Sequence, residues 1–175
     1  VVNSFLQNLD TLGRQSIVLA ATNHETLLDT AVWRRFTYRL ALQLPSSEQR
    51  EHMWADFIEP IHFSPRDLTV LADLSEGFSG SDIREVCARL KRRHFSTGKP
   101  IYLKDAFPVL QNLAIGSEDG ARFIARIANK EAPDIVEALR ERDQRLYSFA
   151  MLGELLGLSK ATVHRVSKLE GEERG

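Results

Sequence analysis

The stretch ATNHETLLDTAVWRRF, residues 21–36, decides how this chain is read. An apolar run, Ile17 to Ala21, ends in the polar pair Thr22-Asn23, and a short segment leads on to Arg34 and Arg35 beside Phe36. A continuous run rich in Ile and Val predicts a strand buried on both faces. Such a strand ending in an amide, followed closely by a cationic pair, is a way to hold polar groups near a phosphate. The complementary device is missing from the sequence. No G-x-x-x-x-G-K-[ST] loop occurs, so the chain has no phosphate cradle of its own.

Outward from this stretch the pattern is α/β on one side and helical on the other. Val1, Val2, Phe5, Leu6, Leu9 and Leu12 form a helical stripe that Gly13 ends. Ser16–Ala21 is the expected strand, Leu27–Trp33 a short helix, and Tyr38–Leu44 a second strand stopped by Pro45. After Pro45 the texture changes. Ser46-Ser47-Glu48 opens a helix to about Ile58, and Pro60 breaks it. Ser64-Pro65 opens a second helix ending at Gly77, Ser79 or Ser81 caps a third through about His94, and Lys104–Leu113 is a fourth. Gly116–Gly120 is the best linker candidate. Beyond it come a helical stretch near Ala121–Asn129, a break at Pro133, a helix from Asp134 into Arg145, and a distinct final pattern, Phe149–Lys168. Glu170–Gly175 reads as a frayed polar tail. The chain lacks an initiator Met and opens in mid-pattern, as a segment of a longer protein would.

Bulk properties narrow the classes. With 175 residues, 43% hydrophobic and 27% charged, this is ordinary globular composition for one medium or two small domains. A net charge of −1 gives no global attraction to nucleic acid or anionic lipid, so any such contact needs a local patch. Cys87 is the one cysteine, so no internal disulfide can form, and a cytoplasmic setting is expected. No apolar run approaches the ~20 residues of a membrane span, and no membrane partner is expected. His24, His52, His62 and His94 show no metal-ligand spacing, so no metal site is expected within the chain. Cys87, Trp33 and Trp54 read as packing residues.

Five segments in order resemble the second half of an AAA-family ATPase module, over roughly Val1 to Leu113. VVNSFLQNLDTL resembles the helix before the sensor strand, SIVLAATN the sensor 1 strand, and LDTAVWRRF the arginine-finger segment. LPSSEQRE resembles the P-D-x-x-x-R entry to the helical lid, and GFSGSDIREVC the lid signature G-F-S-G-A-D-[IL]. The resemblance implies the end of an α/β core at 1–45, a four-helix lid at 46–115, and ATP and Mg²⁺ as cofactors, with the Mg²⁺ ligands outside this chain. It implies a homo-oligomeric ring, a hexamer, in which an arginine reaches the neighbouring subunit's nucleotide and stabilises the transferring phosphoryl group. Asn23 takes the sensor 1 position; Arg34 or Arg35 takes the finger position, the loop being shorter than the common R-x-x-G-R-F. Met53, Phe57, Gly80 and Ser81 take positions around the adenine. Arg84 reads as a solvated helix residue. Alone, the chain is expected not to hydrolyse ATP.

YSFAMLGELLGLSKATVHRVSKLEG, within 116–175, resembles a DNA-binding helix-turn-helix. Leu152, Leu156, Leu158, Val163 and Val166 supply its apolar contacts. Gly153 stands at a close approach, Gly157 at a turn wanting positive φ, and Ser159 at an N-cap. Ser159, Lys160, Thr162, His164 and Arg165 are left for phosphates and base edges of duplex DNA. The fold class expected is therefore mainly α with an α/β remnant. The expected function is ATP hydrolysis coupled to work on DNA or DNA-bound protein. The alternative is a DNA-binding regulator or adaptor whose AAA part is an oligomerisation scaffold.

Overall fold

The computed structural model describes residues 2–12, 16–24, 27–115 and 123–173. Gly13 and the linker candidate Gly116–Gly120 lie outside them. The described residues are mainly helical and contain no strand. The chain divides into two compact units, Val1–Gln43 and Leu44–Gly175.

The first unit has α1 (Val2–Thr11) and α2 (Thr30–Trp33). Leu6 and Val32 are buried. Asp29 sets where α2 begins, because its carboxylate accepts from the Ala31 N–H at 2.8 Å. The helix is therefore shorter than the expected Leu27–Trp33. The expected strands Ser16–Ala21 and Tyr38–Leu44 do not form. A strand exists only with a ladder partner, and the described residues offer neither partner nor cover. Ile17, Leu19 and Leu42 stand 90%, 91% and 96% exposed. The apolar composition specifies burial, and these side chains are not buried here.

The second unit is all helical: α3 (Ser47–Ile58), α4 (Pro65–Leu74), α5 (Gly80–Thr97), α6 (Leu103–Ile115), α7 (Phe123–Ile127), α8 (Ala132–Arg142), α9 (Phe149–Leu156) and α10 (Lys160–Glu173). Three of the starts are written as capping boxes. Ser46 pairs with Gln49, Ser64 with Asp67, and Ser79 with Asp82, each side chain satisfying the other's backbone N–H. Ser79, not Ser81, caps α5. Pro133 does not break the chain; it occupies the first turn of α8, where no N–H is needed. α10 runs to Glu173, so the expected tail from Glu170 is helical for most of its length.

One continuous core joins these helices, from Trp54 and Ile58 of α3 through Ile83, Val86 and Leu90 of α5 to Val136, Leu139, Leu152 and Val163. Buried polar groups in it are satisfied. Arg50, 7% exposed, donates to the carbonyls of Ala72 and Pro45, each at 2.8 Å. Burial pushes its guanidinium below the usual arginine range, and the carboxylates of Glu76 and Asp73 oppose that. Trp54 Nε1 donates to Ser75 Oγ, which in turn donates to the Leu71 carbonyl.

Asp73 ties the first helices of this unit to the last. Arg142 donates to both its oxygens, at 2.8 and 2.9 Å, and also to Glu76 at 2.8 Å. The Tyr147 hydroxyl donates to Asp73 Oδ2, and Arg66 of α4 donates to the cap residue of α9, Ser148. The hydrogen bond to Asp73 holds Arg142 more firmly protonated, while burial first, then the Asp73 charge, raise the Tyr147 phenol. Asp73→Ala would leave a half-buried guanidinium with Glu76 alone and the Tyr147 hydroxyl without its acceptor, and should destabilise the chain by about 1–3 kcal/mol in denaturant unfolding. The Tyr147 phenol stays neutral when folded but ionises near its ordinary value of about 10 when unfolded. Stability should therefore fall as pH rises above about 10, and Tyr147→Phe should flatten that alkaline limb.

Candidate functional site

The residues expected to face a nucleotide divide between the two units. In the first, Asn23 sits in a bend and is exposed. The turn is local: the Thr22 hydroxyl accepts from the His24 N–H at 2.9 Å. Arg34 and Arg35 follow the last turn of α2 but differ in state. Arg35 is clamped by Asp10, with Nε and Nη2 donating to the two carboxylate oxygens at 2.8 and 2.7 Å, and Nη1 donates to the Ala31 carbonyl at 3.0 Å. This fork holds the Asp10 carboxyl below the usual carboxylate range. Arg34 is exposed, and its guanidinium has no hydrogen bond or ion pair among the described residues. Arg39 lies over the Trp33 ring at 5.0 Å and donates to its carbonyl.

In the second unit, Met53 and Phe57 are half-buried on one face of α3. A β-carbon built on Gly80 would lie 3.6 Å from the Met53 thioether. That is ordinary contact, so nothing inside the chain demands glycine there. The Gly80 and Ser81 N–H groups begin α5 without a partner among the described residues, since the cap serves Asp82. Arg84 is exposed as expected, yet it also covers Phe57, its guanidinium 4.6 Å from the ring centroid. Met53 of α3 thus lies near the start of α5, where the Gly80 and Ser81 N–H groups have no partner among the described residues, and Phe57 lies one turn further along α3 beneath Arg84. Among the described residues no group of three or more His, Cys, Asp or Glu is placed to hold a metal ion. Cys87 is buried, its thiol pushed up to about 12, which makes it a poor nucleophile.

At the C-terminal end, α8, α9 and α10 pack together. Gly157 takes φ +68 and closes α9, its N–H donating to the Gly153 carbonyl. Ser159 caps α10, accepting from the Thr162 N–H at 3.1 Å and sharing a 2.8 Å hydrogen bond with the Thr162 hydroxyl. Ser159, Lys160, His164 and Arg165 are exposed and Thr162 is half-buried. His164 also packs on Phe149, centroids 5.0 Å apart, while Arg140 covers Phe149 at 4.2 Å. The His164 ring therefore has a structural contact as well as an exposed edge.

Residues 132–167 match the IclR helix-turn-helix domain. The match begins at α8, so this motif is three helices, one more than the pattern from Phe149 predicted. The α8 stripe of Ile135, Val136 and Leu139 was its available signal. The chain is 33% identical over 111 residues to the ATP-dependent zinc metalloprotease FtsH of Parabacteroides distasonis, covering 61% of this chain and 16% of that protein. Cell division protein C of Sulfolobus acidocaldarius is 29% identical over 155 residues, 83% of this chain and 40% of its own length. Vacuolar protein sorting-associated protein 4 of Dictyostelium discoideum is 40% identical over 88 residues, 47% of this chain and 20% of its own. The chain is related to the AAA-family ATPases. It spans only 16 to 40% of these relatives. No solved structure matches it. Joining an AAA relative to an IclR-type helix-turn-helix is what these comparisons establish, and no described helix is long and apolar enough to cross a membrane.

Gly153 is the steric test of the motif. A β-carbon there would lie 2.7 Å from the Leu158 carbonyl oxygen, and the contact is backbone. Gly153→Ala should cost about 1–3 kcal/mol in thermal unfolding, because the turn has to open to admit it.

Proposed function

We propose that these residues are the C-terminal part of an AAA ATPase that hydrolyses ATP as a homo-oligomeric ring, a hexamer, and is held on duplex DNA by its helix-turn-helix. In this reading 1–45 completes an α/β core, 46–115 is the lid, and 116–175 is the DNA-binding end. The exposed apolar faces of Ile17, Leu19, Leu40 and Leu42 are then strand faces that further sheet residues cover. The observation that carries the hydrolytic part is the unequal state of the two arginines. Arg35 is consumed by Asp10, whereas Arg34 projects without a partner among the described residues.

Arg34 is accordingly assigned as the finger that acts on a neighbouring subunit's nucleotide, and Arg35 as the residue that fixes the segment carrying it. Asn23 orients the attacking water or touches the γ-phosphate. The face of Met53, Phe57, Gly80 and Ser81 fits an adenine: an apolar ring surface, a glycine no internal packing requires, and two free N–H donors. Bound ATP would supply the transferable phosphoryl group and Mg²⁺ its charge neutralisation, with the phosphate loop and metal ligands supplied from outside these residues. In the full-length protein, Arg34→Ala should cut turnover about a hundredfold or more with nucleotide affinity nearly intact. Mixing it with a subunit lacking the phosphate-loop lysine should recover part of the activity. Normal turnover in Arg34→Ala and loss in Arg35→Ala would exchange the two roles; normal turnover in both would remove the finger altogether.

The DNA-binding half rests on the capped N-terminus of α10. Ser159 and the free N–H groups of its first turn suit a phosphate, and Lys160, Thr162, His164 and Arg165 follow on that helix. Lys160→Ala/Arg165→Ala should weaken binding of the intact protein to duplex DNA at low salt by about tenfold or more. Equal affinity in the variant would make the three helices a packing or protein-docking element.

A further inference from the structure

The matched helix-turn-helix, 132–167, carries five Lys and Arg and five Asp and Glu, so it brings no net charge to a polyanion. One of the five cations, Arg142, is already engaged by Asp73 and Glu76. Yet duplex binding draws its strength from phosphate neutralisation. The chain's cations are concentrated elsewhere. Six of its 23 Lys and Arg lie within Arg89–Lys104, and none of its 24 Asp and Glu does.

This segment is the end of α5, the connection, and the first residues of α6, and its conformation is fixed. Gly98 takes φ +66 and its N–H caps α5 at the His94 carbonyl. His94 Nδ1 bonds the Lys99 carbonyl at 2.7 Å. Ile101 and Leu103 are buried as anchors, which turns Tyr102 and Lys104 outward. Asp105 receives the Tyr102 N–H at 3.0 Å and the Arg93 guanidinium at 3.0 Å. Arg89 is paired with Glu85. Arg92 and Lys99 are exposed with no ion-pair partner among the described residues. Lys104 is exposed and lies over the Tyr102 ring at 5.6 Å.

The decisive placement is that of Lys104. A β-carbon built on Gly157 would lie 3.6 Å from Lys104 Cδ, so this lysine stands against the turn of the helix-turn-helix, two residues before the cap Ser159. α6 packs on α9. The C-terminal end of the basic segment, at Lys104, therefore meets the helix-turn-helix.

We propose that Arg92, Lys99 and Lys104, with Tyr102 beside them, form a phosphate-contacting flank that binds the backbone of the same duplex that α10 reads. This rests on the DNA-binding reading above. The flank supplies sequence-independent affinity and the helix-turn-helix supplies position. A pinned connection presents these cations with little loop ordering left to lose on binding.

The test is fluorescence anisotropy of the full chain with a labelled duplex across a salt series, for the parent, Arg92→Gln/Lys99→Gln/Lys104→Gln, and Lys160→Ala/Arg165→Ala, with folding checked by circular dichroism and thermal melting. The flank variant should melt like the parent, bind more than about tenfold more weakly at low salt, and show a log affinity versus log salt slope flatter by about 2–3. The helix-turn-helix variant should lose binding as well. An unchanged affinity and slope in the flank variant, with binding lost in the other, overturns the flank and leaves the helix-turn-helix standing. Loss in the flank variant alone keeps the flank as the DNA site and overturns the reading of α10. No binding by the parent at low salt overturns both. Displacement of the duplex by polyglutamate at equal charge concentration makes the surface a general polyanion site and overturns the proposal.

Discussion

The carboxylate of Asp73 accepts three hydrogen bonds from groups 69 and 74 residues away, and the order of the larger unit depends on it. α4 belongs to the lid-like helices; Arg142 and Tyr147 belong to the helix-turn-helix end. A half-buried carboxylate is costly unless its hydrogen bonds are filled. Here the filling comes from a guanidinium fork and a phenol, both planar and directional. The contact therefore fixes orientation as well as proximity. Arg66 bonding the cap of α9, and Arg140 and His164 enclosing the Phe149 ring, extend the same restraint to the last two helices. The helix-turn-helix is thereby held against α4 by directional contacts as well as by the shared core.

What the sequence displayed were the local signals. Ser46, Ser64 and Ser79 each stand three residues before a side chain that returns the bond, and all three helix starts follow. Gly157 needed a positive φ and has it. The misreadings had physical causes. Pro133 looks like a breaker, yet the first helical turn wants no N–H from it. Ser16–Ala21 and Tyr38–Leu44 have strand composition, but composition states only what a segment would bury, and a ladder must come from another segment. Asp73, Arg142 and Tyr147 had no legible signal, because an acid, a base and a phenol acquire meaning only when the chain brings them together. Lys104 was hidden for the same reason: its neighbour Gly157 is 53 positions on.

The paired arginines show how one motif can divide its work. Two adjacent cations cannot both reach outward unless something holds the chain they hang from. Asp10 takes Arg35 in a two-pronged bond on the same small unit, and the adjacent Arg34 has no ion-pair partner among the described residues. A planar guanidinium that is not neutralised by its own chain retains its full electrostatic value for a phosphoryl oxygen. A lysine at position 35 would offer a point charge and lose the fork, so the pair is not interchangeable with other cations.

Charge distribution carries the last step. A helix-turn-helix with equal numbers of acids and bases can discriminate between sequences but has little means of reaching a duplex from solution. Long-range attraction scales with local charge density, which here peaks at Arg89–Lys104, at the end of α5 and the start of α6. α5 begins at Gly80 beside Met53 and ends in the basic run before Lys99. In the proposed reading, one helix of 18 residues, some 27 Å at 1.5 Å per residue, has the adenine-facing residues at its start and the basic run at its finish. On that reading α5 is the element shared by the nucleotide-facing and DNA-facing residues, and Asp73 ties the helix-turn-helix to α4 of the same core.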